Sequence, residues 1–391
     1  MKSSDIKKID QTYAADTYAR FDVALTGGSG ARLLDADGKA YIDFGSGIAV
    51  NTFGAADSKW LEAVSGQLAK ISHTSNLYYN QPSAELCKEL CVRTGMSRAF
   101  LCNSGAEANE CAIKAARKYS AQKYGAHRHE IVSLTNSFHG RTVTTLAATG
   151  QEMFHKDFQP LTPGFKHAET SQDGVLAQIG PNTCAVILEL IQGEGGVNVL
   201  DKAEVKAIFD ICKERDILVI VDEIQTGNGR TGKLFAYMHY GVTPDIITTA
   251  KGLGGGLPIG AAIFGQSCEF SLQKGDHGST FGGNPVCAAG ALSVLSRLDE
   301  GFLREVSQKG EYLKNRLQDT LGIASVSGMG LMLGAELGIE TGARAIADKC
   351  LEQGLLVLTA KTKLRFLPPL NITLGELDEG LSILKNVLTG A

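Results

Sequence analysis

No run of lysine and arginine occurs in the 391 residues, and the formal net charge is −4. A nucleic-acid partner would favour a clustered basic face, so none is expected. The nine cysteines are an odd count, and no two stand as C-x-x-C. That argues against a disulfide framework or a cysteine zinc site and fits reduced thiols in a cytoplasmic protein. Cys87 and Cys91, one helical turn apart, read as core residues. No H-E-x-x-H is present, and the eight histidines do not cluster with carboxylates at ligand spacing, so no metal is expected. The apolar runs are strand-sized, too short for a helix that spans a bilayer, so no membrane partner is expected. Residues 1–10 are polar and mixed in charge, without the apolar stretch of a secretory signal. There is no internal repeat and no low-complexity linker.

What the chain does have is length, alternation and glycine. At 391 residues it is too long for one small core, so two domains are expected. Hydrophobic residues make up 43% and charged residues 20%, ordinary for a globular protein. The 46 glycines gather in short motifs rather than linkers, which points to tight turns around a ligand. Asp35-Ala36-Asp37-Gly38 predicts a hairpin between strands at 31–34 and 41–44. From about residue 57 helix and strand alternate. A helix is predicted over 60–71, a strand over 99–102 and a helix over 107–119. Apolar strands follow at 131–134, 185–188, 217–221, 245–249 and 261–264. Strands that are apolar throughout, separated by helices, indicate a mainly parallel sheet covered on both faces. Such sheets place ligands at the carboxyl ends of their strands. After about residue 288 the pattern changes to a long helix over 289–321, a strand over 331–336, another helix, and a strand over 364–367. The expected division is residues 1–56 as part of a small α+β domain, 57–288 as the large domain, and 289–391 as the rest of the small one.

Three constellations carry chemistry. Ser104-Gly105-Ala106-Glu107 lies between a strand and a helix, where backbone amides and the helix N-terminus attract an anion. By itself it is equally a capping box, Ser104 the cap and Glu107 in the first turn. Asp222 ends the apolar strand Val219-Ile220-Val221, where a carboxylate is costly without a partner. Alone, it could simply cap the next element. Lys251 follows a buried strand and precedes Gly252-Leu253-Gly254-Gly255-Gly256. Desolvation there would lower its pKa, as an imine-forming lysine requires, although a loop lysine reaching solvent is common. Two decoys fail. Residues 227–233 have Walker A spacing, but Leu234 stands where the magnesium-binding hydroxyl belongs. The glycines from 252 break the dinucleotide pattern at Leu257. Together the three constellations suit one cofactor with a phosphate at 104–106, a ring nitrogen at Asp222 and an aldehyde carbon at Lys251. Pyridoxal 5′-phosphate (PLP) has those three handles, and an acidic partner on its ring nitrogen keeps it an electron sink.

The chain resembles the class III aminotransferases of PLP fold type I, from about Tyr18 to Leu388. The resemblance rests on Ser104-Gly105-Ala106-Glu107-Ala108-Asn109-Glu110, Phe138-His139-Gly140-Arg141, Gln192-Gly193-Glu194-Gly195-Gly196, Asp222-Glu223-Ile224-Gln225-Thr226-Gly227 and Gly278-Ser279-Thr280-Phe281-Gly282-Gly283-Asn284-Pro285. His73-Thr74-Ser75-Asn76-Leu77-Tyr78-Tyr79 and Leu364-Arg365-Phe366-Leu367-Pro368-Pro369-Leu370 resemble the branch acting on acylated ornithine. The resemblance implies an α/β fold with a mainly parallel seven-stranded sheet between helices, a smaller α+β domain from both termini, and a homodimer. It implies PLP as cofactor, and an amino donor and 2-oxoglutarate as substrates. Ser104, Gly105 and Ala106 would bind the phosphate, Phe138 would stack on the ring, Asp222 would pair with its nitrogen, and Gln225 would bond its hydroxyl oxygen. Lys251 would hold the cofactor covalently, and Thr280 would reach the phosphate of the neighbouring subunit. Arg141, Ser279 and Tyr18 would touch substrate. Arg365 would hold the near carboxylate of glutamate, and Glu194 would neutralise Arg365 when the other substrate is bound. Ornithine, succinylornithine, N-succinyl-diaminopimelate, 4-aminobutyrate and an aminomutase reaction remain open at this point. The chain departs from the family at Asp22, Gly54-Ala55-Ala56-Asp57, Leu190 and Ala360-Lys361-Thr362-Lys363.

Overall fold

Asp35 turns the chain first. In the computed structural model, which describes residues 1–390, its carboxylate accepts from the backbone of Asp37 and Lys39, both at 2.9 Å. That closes the meander of Leu25–Ser29 (β1), Arg32–Asp35 (β2) and Ala40–Asp43 (β3). β3 then pairs in parallel with Leu355–Leu356, so residues from opposite ends of the sequence share one sheet.

The central sheet is built from Arg98–Cys102 (β4), Glu130–Leu134 (β5), Phe165–Ala168 (β6) and Thr183–Leu188 (β7). A two-stranded hairpin follows, Ile191–Gln192 (β8) and Asn198–Val199 (β9). The chain then returns to the central sheet with Leu218–Asp222 (β10), Ile246–Thr249 (β11) and Gly260–Phe264 (β12). The order is β4-β12-β11-β10-β7-β5-β6, and it is parallel except that β12 runs against both its neighbours. Alternate residues feed two cores. Ile131, Ala185, Ile187, Leu218, Ile220 and Ile246 pack with Cys111, Ala112, Ile113, Ala115 and Ala116 of the Gly105–Tyr124 helix. Val132, Val186, Leu188, Val219, Val221 and Ile247 enter the larger core on the other face. Each such side chain contributes about 1.5–3 kcal/mol when fully buried, which is why these strands read as continuous apolar runs. The nine cysteines are all unpaired.

The strands near the C-terminus, Ile323–Met329 (β13), Met332–Leu337 (β14), Leu355–Leu356 (β15), Leu358–Ala360 (β16) and Lys363–Phe366 (β17), complete the fold. Four of them form a sheet in the order β13-β14-β17-β16. The long helix expected over 289–321 is instead two, Pro285–Leu295 and Glu300–Gln318. The break is a helix start. The Asp299 side chain accepts from Phe302 N at 2.8 Å, satisfying an amide that a new first turn leaves free. The helix expected over 107–119 runs further at both ends, Gly105–Tyr124, because Ser104 caps it and Gly125, at positive φ, ends it.

Candidate active site

The carboxyl ends of β4, β5, β7, β10 and β11 surround a cavity of about 490 Å³. Its first wall is the start of the Gly105–Tyr124 helix. Ser104 Oγ accepts from Glu107 N at 3.2 Å, and Glu107 reaches back to Asn103 N at 2.8 Å. The capping arrangement is therefore present, and the same turn lines the cavity with Ser104, Gly105 and Ala106. Gly105 is needed there: a Cβ would lie 2.7 Å from the Ile224 side chain. Free backbone N–H groups and the helix dipole make this end attractive to a phosphate.

Asp222 stands at the middle. Its Oδ2 accepts from Asn109 Nδ2 and His139 Nδ1, each at 2.8 Å, and its Oδ1 from Ile224 N at 3.1 Å. Asn109 is itself braced, donating to His139 O at 2.8 Å and accepting from Thr248 Oγ1 at 2.7 Å. A buried carboxylate with this many donors is held in one orientation as well as stabilised. Phe138 forms a cavity wall, its ring edge-on to Phe154 at 5.8 Å between centroids.

Lys251 completes the line. It directly follows Ala250 after β11, with φ at 47° in the left-handed region, a backbone strain found at functional positions. Burial lowers the ammonium's pKa, although Glu194 and Asp222 pull the other way. An amine held toward its neutral form is a nucleophile for carbonyl carbon.

The remaining groups are cationic. Arg365 Nη1, from buried β17, donates to Glu194 Oε1 at 2.6 Å and to Gln225 Oε1 at 3.3 Å. Burial pushes the Glu194 carboxyl up, but the charge and hydrogen bond of Arg365 outweigh it and hold the group below its ordinary value. Glu194 sits on the β8–β9 hairpin. The preceding Gly193 lets the Gln225 side chain pass close to the turn, since a Cβ there would lie 2.1 Å from Gln225 Oε1. Arg141 lines the cavity with its guanidinium over Phe154 and Phe138, 4.3 and 5.5 Å from the centroids. It has no carboxylate partner among the described residues.

Of the residues singled out from the sequence, Ser104, Gly105, Ala106, Phe138, Arg141, Glu194, Asp222, Gln225 and Lys251 line this one cavity, and Arg365 is tied to it through Glu194. Three are not brought there. Ser279 is one step back, its Oγ accepting from Asn103 Nδ2 at 2.9 Å. Thr280 is exposed beside it. Tyr18 is 71% exposed and lines a separate hollow formed by residues 6–24. Its segment is fastened elsewhere, because Arg344 donates to the carbonyls of Ala19 and Arg20 and lies over the Phe21 ring. Sequence reasoning missed the roles of Asn109, His139, Thr248 and Glu189. The first three are polar groups inside recognised motifs or strands. Glu189 carries the signal that exposed Asp222, a carboxylate ending a buried apolar strand.

The residues present fit PLP. A glycine-lined helix start can take the phosphate, a braced carboxylate the ring nitrogen, and a desolvated lysine the aldehyde, within one cavity of suitable size. On this sheet they define a class: enzymes of PLP fold type I. Residues 13–388 match the model of the family described as aminotransferase class-III. An acetylornithine aminotransferase of Haemophilus ducreyi is 53% identical over the whole of both chains, and one of Methanocaldococcus jannaschii is 44% identical over 97% of each. Among solved structures, an ornithine aminotransferase from Toxoplasma gondii superposes with a TM-score of 0.95 at 31% identity, covering 100% of this chain and 96% of that one. An N-acetylornithine aminotransferase from Stenotrophomonas maltophilia gives 0.84 at 36%, covering 98% of each. The chain belongs to the class-III aminotransferase family and is a transaminase.

Proposed function

We propose that the protein transfers the δ-amino group of N2-acetylornithine to 2-oxoglutarate, giving N-acetylglutamate 5-semialdehyde and glutamate, with PLP as cofactor and ping-pong kinetics, as a step of arginine biosynthesis in the cytoplasm. The observation that carries the reading is a pair of arginines at one site: Arg141 lines the cavity without an acidic partner among the described residues, and Arg365 is bound to Glu194, which lines it.

When bound, PLP supplies an aldehyde that captures amines and a protonated ring that accepts the electron pair left on the adjacent carbon. The chain does the rest. Backbone N–H groups of Gly105 and Ala106, with Ser104, would hold the phosphate. Asp222 would accept from the ring nitrogen, Phe138 would cover one ring face, and Gln225 would bond the ring hydroxyl oxygen. Lys251 Nζ would hold the aldehyde carbon covalently, and its amine, held toward the neutral form, would serve as the base that takes and returns a proton at the substrate carbon. Arg141 grips the distant carboxylate of either substrate. Arg365 faces Glu194 while acetylornithine is bound and the near carboxylate of glutamate or 2-oxoglutarate in the second half. Ser279, whose Oγ accepts from the cavity-lining Asn103 at 2.9 Å, would meet substrate at the edge of the cavity. Thr280, with exposed Leu77, Tyr79 and Phe281, belongs to a homodimer interface in this reading and serves the partner's phosphate. Gly45, Ser46 and Gly47, in the turn just ahead of the cavity-lining Val50, carry no large side chain and would leave room for an acyl group.

A half-reaction panel tests the proposal. The holoenzyme is mixed with single amines and loss of the bound cofactor's absorbance is followed. Acetylornithine should react faster than ornithine or 4-aminobutyrate. Equal or faster reaction with either would overturn the substrate assignment while leaving the family intact.

A further inference from the structure

Parallel pairing sets Val221 of β10 opposite Leu188 of β7. Asp222, the last residue of β10, and Glu189, the first past β7, therefore stand at neighbouring strand ends whose backbones are spaced by about 5 Å, with side chains toward the same face of the sheet. That face already carries Ile220 and Ile187. Both carboxyls line the cavity, and Asp222 and Glu189 are only 3% and 5% exposed. Two carboxylates this close and this dry do not both ionise, and their surroundings decide which keeps the proton. Asp222 has three hydrogen-bond donors, described above. Glu189 has one, Phe138 N to Oε2 at 2.9 Å, and no cation within ion-pair distance among the described residues. The negative charge therefore belongs to Asp222, which needs it for a ring nitrogen.

We infer that Glu189 is a neutral carboxylic acid that positions Phe138 through its backbone N–H and presents its other oxygen to the cavity as a donor. The inference rests on the PLP reading above. The charged groups facing Glu189 are consistent with it. Asp222 and Glu194 repel a second anion, and Lys251 attracts one, while His139 and Arg365 are already engaged with Asp222 and Glu194 respectively. Burial and Asp222 together push the Glu189 carboxyl well above its ordinary value, only partly offset by Phe138 N–H and Lys251. The consequence reaches Lys251. A neutral neighbour adds no anion to hold a proton on the lysine nitrogen, and the peptide at Phe138 fixes the wall against which the ring lies. Glu189 acts through Phe138 and the local charge, so it is a positioning residue.

Glutamine is the isostere of the neutral acid: its carbonyl can accept from Phe138 N while its NH2 donates to the cavity. The test uses full-length wild type, Glu189→Gln and Glu189→Ala, with two readouts. One is the PLP dissociation constant after cofactor removal; the other is the pH at which the bound cofactor's absorbance changes. Loss of the anchor in Glu189→Ala should weaken PLP by about tenfold, and Glu189→Gln should restore it to within about twofold. The absorbance midpoint of Glu189→Gln should match wild type. A midpoint lowered by about one unit or more would mean that an anion had been removed, which overturns the inference. So would Glu189→Gln binding PLP as poorly as Glu189→Ala, or Glu189→Ala binding it as well as wild type. If Glu189→Ala does not fold, the absorbance midpoint of Glu189→Gln decides alone. Wild type that takes up no PLP would instead bring down the functional reading on which the inference stands.

Discussion

Glu194→Gln separates the two halves of the reaction. In the free protein Arg365 is 4% exposed and Glu194 30% exposed, and they meet at 2.6 Å. Breaking a fully buried pair by removing one partner costs about 3–5 kcal/mol, and an exposed pair is worth at most about 1 kcal/mol. With one partner buried and the other open to the cavity, about 2 kcal/mol is the appropriate scale. The substitution leaves Arg365 with a neutral amide and Gln225 Oε1 at 3.3 Å, so its charge goes uncompensated. That penalty appears whenever no substrate carboxylate lies against Arg365, that is, in the free enzyme and with acetylornithine bound. It vanishes when 2-oxoglutarate supplies a carboxylate, because the wild type must break the Glu194 contact at that moment and the variant need not. By linkage, a dicarboxylate that cannot react, such as glutarate, should bind the variant about thirtyfold more tightly than wild type, matching about 2 kcal/mol. Calorimetry with glutarate measures this directly. Single-turnover absorbance should show the acetylornithine half slowed and the glutamate half spared. Unchanged glutarate affinity together with equal loss in both halves would refute the exchange of Glu194 for substrate.

Lys251→Ala should abolish turnover, and borohydride reduction followed by mass spectrometry should no longer label the chain; a label on another residue would displace Lys251 from its role. Asn109→Ala removes the donor to Asp222 and His139 O and the acceptor for Thr248, leaving buried polar groups unpaired. A destabilisation of about 3 kcal/mol in denaturant unfolding is expected, and one under about 1 kcal/mol would mean that Asn109 does not brace the carboxylate. Glu223 is raised from 4.5 to about 7 by burial and by the charge of Asp222, against hydrogen bonds from Thr226 and Tyr237 N. Between those values the folded state keeps a proton that the unfolded chain has released. Stability should therefore fall by about 3 kcal/mol as pH rises through that window and level off above it. Glu223→Gln should reduce the fall across that window by about the same amount, the remaining slope coming from other raised carboxyls such as Glu189, and parallel profiles for the two proteins would reject the assignment.

The apolar strands were legible because burial on both faces leaves little choice of side chain. Thr183–Leu188 and Leu218–Asp222 are buried at every position and read as strands without periodicity. The antiparallel direction of β12 was not legible. Gly260–Phe264 is as apolar as the parallel strands of the sheet, and direction is decided by how the connection from Lys251 reaches it. The break between Pro285–Leu295 and Glu300–Gln318 was legible in principle. Asp299 three residues before Phe302 is a capping signal, but apolar spacing continued across it. Tyr18 lies on a segment without regular structure beyond the first helix, and its position depends on Arg344, more than three hundred residues away. No local pattern encodes such a contact.

The site shows the same division. Asp222 and Lys251 could be found because each breaks a local rule: a charged group placed at the end of an apolar strand needs a reason. Glu189 breaks that rule equally, yet it was passed over, since Leu190 and Ile191 continue the apolar run beyond it. Its meaning comes from the register of β7 against β10, which sets it beside Asp222, and register is a property of the pair of strands. Lys361 makes the complementary point. It lies in the stretch 360–363 that departs from the family pattern, its φ of 53° is in the region glycine favours, and its Nζ donates to Asn136. The turn leading into Arg365 therefore carries a conformational cost, of the order of 1 kcal/mol, that this contact helps to offset. Because β17 and the Asn136 loop are joined there, Arg365 and Phe138 are held to one frame from both sides of the cavity.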